Sequence, residues 1–559
     1  MKNSRLLFLP LLAVLALSGC SSKDVVMPEA ALPMESDVVF VFDGDRGGDF
    51  GELMDLIDSF PKRDKEGFVE QAWDSDGTLP EYAKYVEPVM KGDFRVAVGV
   101  SDVGNVDSVD AGVVMVAAYF EKADAFEDLM VELLKENDVE LKASEEDGKK
   151  FWSNEATFVA RDGDVFVFGM TEESLDGALE NLEERNGFVV LPEAEGRLGY
   201  VHVGGEFVGE VLSGIYGSAG GMLGASTVFF DADKRGISFD SEMDLPADAD
   251  SEAFKSMFGD IGYRVGLIDE VRAEKPFAFG EYSNLKSYVE AAAYGFLGQV
   301  NAIDPEAVPD NLDVMASLAE MLGMDEVALT EFVDSPLAFV MGDNGALYPT
   351  VAFYLGMDKG DLEVAKSLTV KMDGWVAALI GLYDELARAQ GFGEGALKRE
   401  VVGVSGSALH KVYFDFNALP EEVLGAAAFI PGLDVKSLKV ELYYGLTAED
   451  HFVVALYPDF AEEYESAPIV SDDKVLKAAL KDFDLDNAYM MNVFLPGGFV
   501  PIADRWVELA AGAGVFDGTA KEDYDFYAHE VVARFKSMIS VGTIEGEKVE
   551  SRGRLEIGK

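Results

Sequence analysis

The chain alternates between short continuous apolar runs, the pattern of buried strands, and stretches with apolar residues every third or fourth position, the pattern of helices. The first apolar run, residues 6–17, is too short to cross a bilayer core of about 30 Å comfortably. Residues 38–42 (VVFVF) predict a strand, and a Gly/Asp turn then leads to a helix over residues 50–60 with apolar positions at 53, 54, 56, 57 and 60. A helix broken near Pro88 precedes a strand from Phe94 to Val100. The run AGVVMVAAYF predicts another buried strand, and KADAFEDLMVELLKEN an amphipathic helix, apolar at 126, 129, 130, 133 and 134. FWSNEATFVARDGDVFVFGM predicts strands joined at a tight Asp162-Gly163 turn. TEESLDGALENLEE predicts a helix opened by Thr171 with glutamates in its first turn. A strand at Tyr200–Val203, a Gly-rich segment and the hairpin STVFFDADKRGISFDSEMDL close this half.

The second half repeats the order. Residues 334–343 stand where 91–100 stood, 350–368 parallel 113–130, and 451–464 parallel 164–179. AYMMNVFLPGGFVPIADRWVEL parallels GYVHVGGEFVGEVLSGIY, and the last pair of strands, ending RGRLEI, parallels the hairpin ending SEMDL. Colinear recurrence of five segments argues for a duplicated domain over two unrelated α+β domains. Helices over 281–300 and 311–323, and a longer one from about Asp361 to Gln390, enlarge the second copy. The expected fold is α+β: two tandem, duplicated domains of mainly antiparallel sheet, with helices packed on one face. The expected organisation is a signal peptide at 1–19, a lipidated Cys and tether at 20–36, a first domain at 37–247, a connecting segment at 248–275 and a second domain at 276–559.

The signal peptide follows from Lys2 and Arg5 ahead of the apolar run, with small residues leading to the only cysteine. Leu17-Ser18-Gly19-Cys20 resembles the lipobox of bacterial lipoproteins, which implies that Cys20 is diacylated and becomes the first residue of the mature chain. Ser21 and Ser22 resemble the pattern of lipoproteins sent to the outer membrane where two membranes exist; with one membrane, the protein stands on its outer face. Residues 21–36 read as a short polar tether that keeps the body close to the lipid surface.

Composition sharpens this picture. A hydrophobic content of 49% with 38 Phe and 20 Tyr is ample for packed cores, so the charge does not imply disorder. One cysteine leaves no intrachain disulfide, and four scattered histidines supply transition-metal and Ser-His sites poorly. A formal charge of −59 argues against nucleic acid as a partner. It fits solubility and resistance to non-specific sticking, or close-range attraction of divalent cations or a basic partner.

The phrases LPMESDVVFVF, LPEYAKYVEPVMKGDFRVAVGV and LGMDEVALTEFVDSPLAFVMGD, behind a lipobox, resemble an uncharacterised family of bacterial envelope proteins, a domain-of-unknown-function family whose members are often lipoproteins. The resemblance implies an anchored envelope protein and carries no chemistry onto particular residues.

For metal, the candidate residues are Asp231, Asp233 and Glu242, whose spacing superficially matches an EF-hand calcium loop. Arg235 stands where an oxygen ligand is needed and the flanks alternate like strands, so a plain hairpin turn is expected and no cofactor is assigned. Further acidic clusters, Asp43/Asp45/Asp49, Asp74/Asp76 and Asp482/Asp484/Asp486, read as solvated faces, the last as one face of a strand. The glycine segments 217–224 and 391–395 lack phosphate-loop patterns, Gly403-Val-Ser405-Gly406 is not a complete nucleophile elbow, and His410 and His451 read as structural. The leading expectation is a non-enzymatic, membrane-tethered binding or scaffolding module with an envelope protein partner. The alternatives are a carboxylate-based envelope hydrolase and a divalent-cation-binding surface protein.

Overall fold

Continuous apolar runs make most of the strands, and among the described residues twenty strands join one sheet. The structure, a computed structural model, describes residues 27–61, 94–101, 113–136, 142–205, 225–244, 263–286 and 314–558. Within these ranges residues 35, 45–48, 155–157, 170, 186, 189–190, 192–193, 195–196, 284, 358–361, 392–393, 405–406, 423, 425–433, 516–517 and 546–547 are not described. Cys20 with its lipobox, Asp45, Asp74, Asp76, residues 217–224, Ser405-Gly406, and most of the predicted 281–300 helix and 248–275 connection therefore lie outside the described residues.

The first ten strands are β1 (Val38–Asp43), β2 (Phe94–Ser101), β3 (Val113–Phe120), β4 (Lys142–Glu146), β5 (Lys149–Ser153), β6 (Phe158–Asp162), β7 (Val165–Gly169), β8 (Gly199–Val203), β9 (Ser226–Asp233) and β10 (Gly236–Asp244). Among the described residues three helices interrupt them: α1 (Asp49–Asp58) after β1, α2 (Ala123–Glu136) after β3 and α3 (Glu172–Glu184) after β7. The second ten are β11 (Pro276–Tyr282), β12 (Leu337–Gly342), β13 (Thr350–Gly356), β14 (Leu397–Val404), β15 (Ser407–Phe414), β16 (Glu441–Leu446), β17 (His451–Leu456), β18 (Ala488–Phe494), β19 (Phe535–Glu545) and β20 (Lys548–Ile557). Here α4 (Val314–Leu322) and α5 (Glu326–Val333) precede β12, α6 (Leu362–Gln390) follows β13, α7 (Phe460–Tyr464) and α8 (Lys474–Leu480) follow β17, and α9 (Val500–Gly512) and α10 (Gly518–Asp525) follow β18.

Every strand pairing is antiparallel. In the first half the spatial order is β4-β5-β6-β7-β3-β2-β1-β8-β9-β10. The second half runs β14-β15-β16-β17-β13-β12-β11-β18-β19-β20, the same order with each number raised by ten. The edges of the two repeats meet at β10 and β20, in register from Gly236 opposite Glu556 to Asp244 opposite Lys548. The fold is thus α+β and antiparallel, with the two copies fused into one 20-stranded sheet, not carried on separate sheets. Phe239 locks the seam: a Cβ on Gly553 opposite it would lie 1.9 Å from the Phe239 ring, so only glycine fits under that side chain.

The helices lie on both faces of the sheet, a correction to the expected single face. In the first repeat Phe42, Val96, Ala118 and Phe166 point to one face, where α2 buries Phe126, Leu129 and Met130 against them. Val41, Ala97, Ala117 and Val167 point to the other, covered by Leu175, Ala178, Leu179 and Leu182 of α3. The second repeat does the same, with α4, α5 and the start of α6 on the α2 side, and α7 and α8 opposite. The reason is in the strands: their continuous apolar runs make both faces hydrophobic, and both must be covered.

The arm before β1 is a second correction. Residues 28–31 form a turn of 3-10 helix in which Glu29 and Ala31, with Leu32 after it, are fully buried, so residues 28–32 pack into the first core and are not part of a free tether. A third correction is the Asp482–Asp486 stretch. It is a loop after α8, in which Asp484 accepts from the Asp486 N–H and the Asn487 side chain, although Phe483 and Leu485 do pack inward.

Candidate interaction surface

The apolar residues of a helix that meets water on one side normally face the sheet. In α6 they face both ways. Its first turns pack as α2 does, with Ala365 and Leu368 in the core beside Phe452 and Leu355. Beyond them it runs over β14 and β16, held by Tyr383 edge-on to Phe414 at 5.8 Å and by buried Ala387. Polar clamps fix the helix there. Asp373 receives Arg399 at 2.5 Å and the His410 ring at 3.1 Å, and His410 stacks on Tyr444. Desolvation works to raise the Asp373 pKa, but the Arg399 and His410 contacts hold it below the ordinary carboxylate value. At the helix end Asp384 accepts the Gly395 N–H at 2.8 Å, and Arg388 pairs with Glu394.

With its inner side satisfied, α6 turns Trp375, Leu379, Leu382 and Leu386 outward, at 46, 56, 54 and 53% exposure. The spacing, four then three then four residues, places them on one stripe and is the seam spacing of paired helices. Between Asp373 and Asp384 the helix carries no charge, in a chain of net charge −59. Sequence reasoning predicted this helix and missed the stripe, although its spacing is legible once one face is known to be occupied. Among the described residues no helix is long and apolar enough to cross a membrane.

The predicted metal residues are placed apart. Asp231 and Asp233 lie on β9 and Glu242 on β10, and the register puts Glu242 opposite Thr227, four residues along the strand from Asp231, or about 13 Å. Each is engaged: Asp231 by Arg197 at 2.6 Å and the Leu198 N–H, Asp233 by Arg554 and the Arg235 and Gly236 N–H groups, Glu242 by Lys548 at 2.8 Å. The hairpin turn expected between them is observed, and among the described residues no three metal-ligating side chains converge.

Asp43 pairs with Arg95, Asp482 with Arg235, and His451 is buried with its Nε2 at 2.8 Å from Glu270. Gly391 and Gly395 adopt left-handed backbone just past α6, terminating it.

No family model matches the chain, and no curated protein matches it. Among solved structures, three crystal forms of TP0453 align over 40% of this chain: form III at 12% identity and TM-score 0.27 over 82% of that chain, form I at 13% and 0.26 over 80%, and form IV at 12% and 0.26 over 81%. Likeness at this level carries no functional argument.

Proposed function

We propose that the protein is a lipid-anchored, non-enzymatic binding module of the bacterial cell envelope, held at the membrane through Cys20 and engaging an envelope protein partner through α6. The family resemblance and the lipobox support the location. One observation carries the binding role: the uncharged stripe Trp375, Leu379, Leu382 and Leu386 on a helix whose other side is already packed. These residues are about half exposed, so covering each leucine is worth about half of the roughly 1.5–3 kcal/mol of full burial, and the four together give a helix laid along the stripe a few kcal/mol. Electrostatics selects the partner. The chain as a whole carries a formal charge of −59, which disfavours a second copy of this chain and anionic headgroups and favours an amphipathic helix flanked by lysine or arginine.

The test titrates the full chain with a synthetic helix bearing a leucine stripe flanked by lysines, in salt of about 0.3 M so that non-specific attraction is screened. The expected result is saturable binding that weakens at least about tenfold in Leu379→Ser/Leu382→Ser. Equal binding by that variant, stripe-dependent self-association of the chain, or stripe-dependent binding to phosphatidylcholine vesicles in place of the peptide would each overturn the proposal.

A further inference from the structure

The seam between the repeats ends in a cavity that neither the duplication nor the α6 surface requires. The hairpin turn between β9 and β10, the strands β19 and β20, and α8 with the loop after it enclose about 190 Å³. That is below the roughly 300 Å³ of most drug-sized sites, so the occupant is small. It lies where α8, between β17 and β18, packs against β19 at one end of the seam.

Its lining divides sharply. The floor is apolar, with Ala479, Phe483 and Ile539. The wall carries four cations, Arg235, Lys481, Lys536 and Arg554, against two carboxylates, Asp482 and Glu556. In a chain with 45 basic and 104 acidic residues, a cavity with the balance reversed is not a random sample of the surface. The carboxylates are occupied: Asp482 holds Arg235 at 2.7 Å, and Glu556 accepts the Ser537 hydroxyl at 3.2 Å. Several cationic donors are not. Among the described residues Lys481 and Lys536 form no ion pair, and Lys536 donates only to the Ala533 carbonyl. Arg554 pairs with Asp233 through Nη2 while its Nε is buried without an acceptor. Lys481, which also acts on the neighbouring Asp482, and Lys536 are exposed at the rim of the apolar floor, and ammonium groups outside ion pairs beside apolar lining suit an anionic head on a short apolar body.

We infer that this seam cavity is a binding site for a small amphiphilic anion, a carboxylate or phosphate monoester with a short alkyl tail, its head held by Lys481 and Lys536 and its tail on Ala479, Phe483 and Ile539. The site bridges the repeats, since Arg235 comes from the first and the other cations from the second. Occupancy would therefore add to the ion pair Arg235–Asp482 as a tie across the seam.

Calorimetric titration of the full chain with hexyl phosphate, hexanoate and inorganic phosphate tests it. The expected result is saturable binding of hexyl phosphate or hexanoate, weakened at least about tenfold in Lys481→Gln/Lys536→Gln and unchanged in Lys366→Gln, whose ammonium pairs with Glu363 on α6. A chemical-denaturation curve for the lysine variant separates loss of binding from loss of fold. Binding retained in the double variant, no saturable binding by either alkyl probe up to about 10 mM, or inorganic phosphate binding as tightly as hexyl phosphate would overturn the assignment. None of these outcomes depends on the α6 surface, so the two proposals fail separately.

Discussion

The helices that follow the third strand of each repeat, α2 and α6, occupy equivalent places and end in opposite conditions. In α2 the core takes Phe126, Leu129 and Met130, and Val131 is exposed: Phe126 stacks on Phe120 at 3.9 Å and meets Phe166 edge-on at 4.8 Å. In α6 the same start is followed by further turns, for 29 residues against 14, or about 43 Å against about 21 Å, and the added length carries an outward apolar stripe. The duplication supplies the reference. Both repeats keep the strand order and the helices that cover the two faces, and among the described residues the second lengthens the helix after its third strand.

A substitution in each helix sharpens that contrast. Phe126→Ala empties a packed aromatic cluster and is expected to cost about 3–5 kcal/mol in urea unfolding, whereas Leu379→Ser on the exposed stripe is expected to stay within about 0.5 kcal/mol. Equal costs would mean that the stripe is part of the fold.

The arms ahead of β1 and β11 offer a second comparison. In the first repeat Arg95 on β2 is buried and binds Glu29 of the arm through Nε at 2.9 and 3.0 Å, and Asp43 beside it. Burial opposes its charge, yet Glu29 and Asp43 hold the Arg95 pKa above the ordinary value. Ala338 stands at the matching place on β12, opposite Glu281 as Arg95 stands opposite Asp43. There the buried Glu281 carboxylate is met by backbone instead: the Gly266, Leu267 and Ile268 N–H groups and the Tyr263 hydroxyl. One position is solved once with a cation and once with a turn of amides.

Arg95→Ala leaves Glu29 buried without its partner and is expected to cost about 3–5 kcal/mol. A loss below about 1 kcal/mol in chemical denaturation would show that the arm is not held by this pair. Glu281→Gln is expected to cost less, about 1–3 kcal/mol near pH 4, because the amide brings two N–H donors where the neutral acid has one O–H, among groups that are themselves donors. Its pH dependence gives the sharper readout. Burial raises the Glu281 pKa above its unfolded value despite those donors, so the folded state binds the extra proton. The Glu281 contribution is therefore fully present below the unfolded pKa and is lost as pH rises through the folded one. Wild type should lose ground to Glu281→Gln as the pH rises above the ordinary Glu value of about 4.3. A difference that is flat or of opposite slope contradicts the burial account.

Much of the fold was legible in local pattern. The continuous runs 38–42 and 113–120, the Thr171 cap with its reciprocal Ser174 bond, and the colinear recurrence of five segments each encode local structure, and each is observed. The missed β4–β5 hairpin carried its signal too, since Asp147 and Gly148 both take left-handed backbone at its turn, but its polar strands hid it. Pairing between β10 and β20 is not a local property: their sequences specify a hairpin edge and not which edge it meets. The α6 stripe and the seam cavity were illegible for the same reason. Whether a leucine is exposed, or a lysine unpaired, is decided by elements distant in the chain.

The most direct test of the central claim places a photo-crosslinking residue at position 379 of the full chain, signal and Cys20 included, expressed in its host cells, with position 126 of α2 as the buried control. The account predicts one discrete adduct from position 379 and none from 126, with the crosslinked peptide of the partner mapping to an amphipathic helix flanked by lysine or arginine. An adduct joining two copies of this chain, a lipid-only adduct, or no adduct from 379 would contradict it.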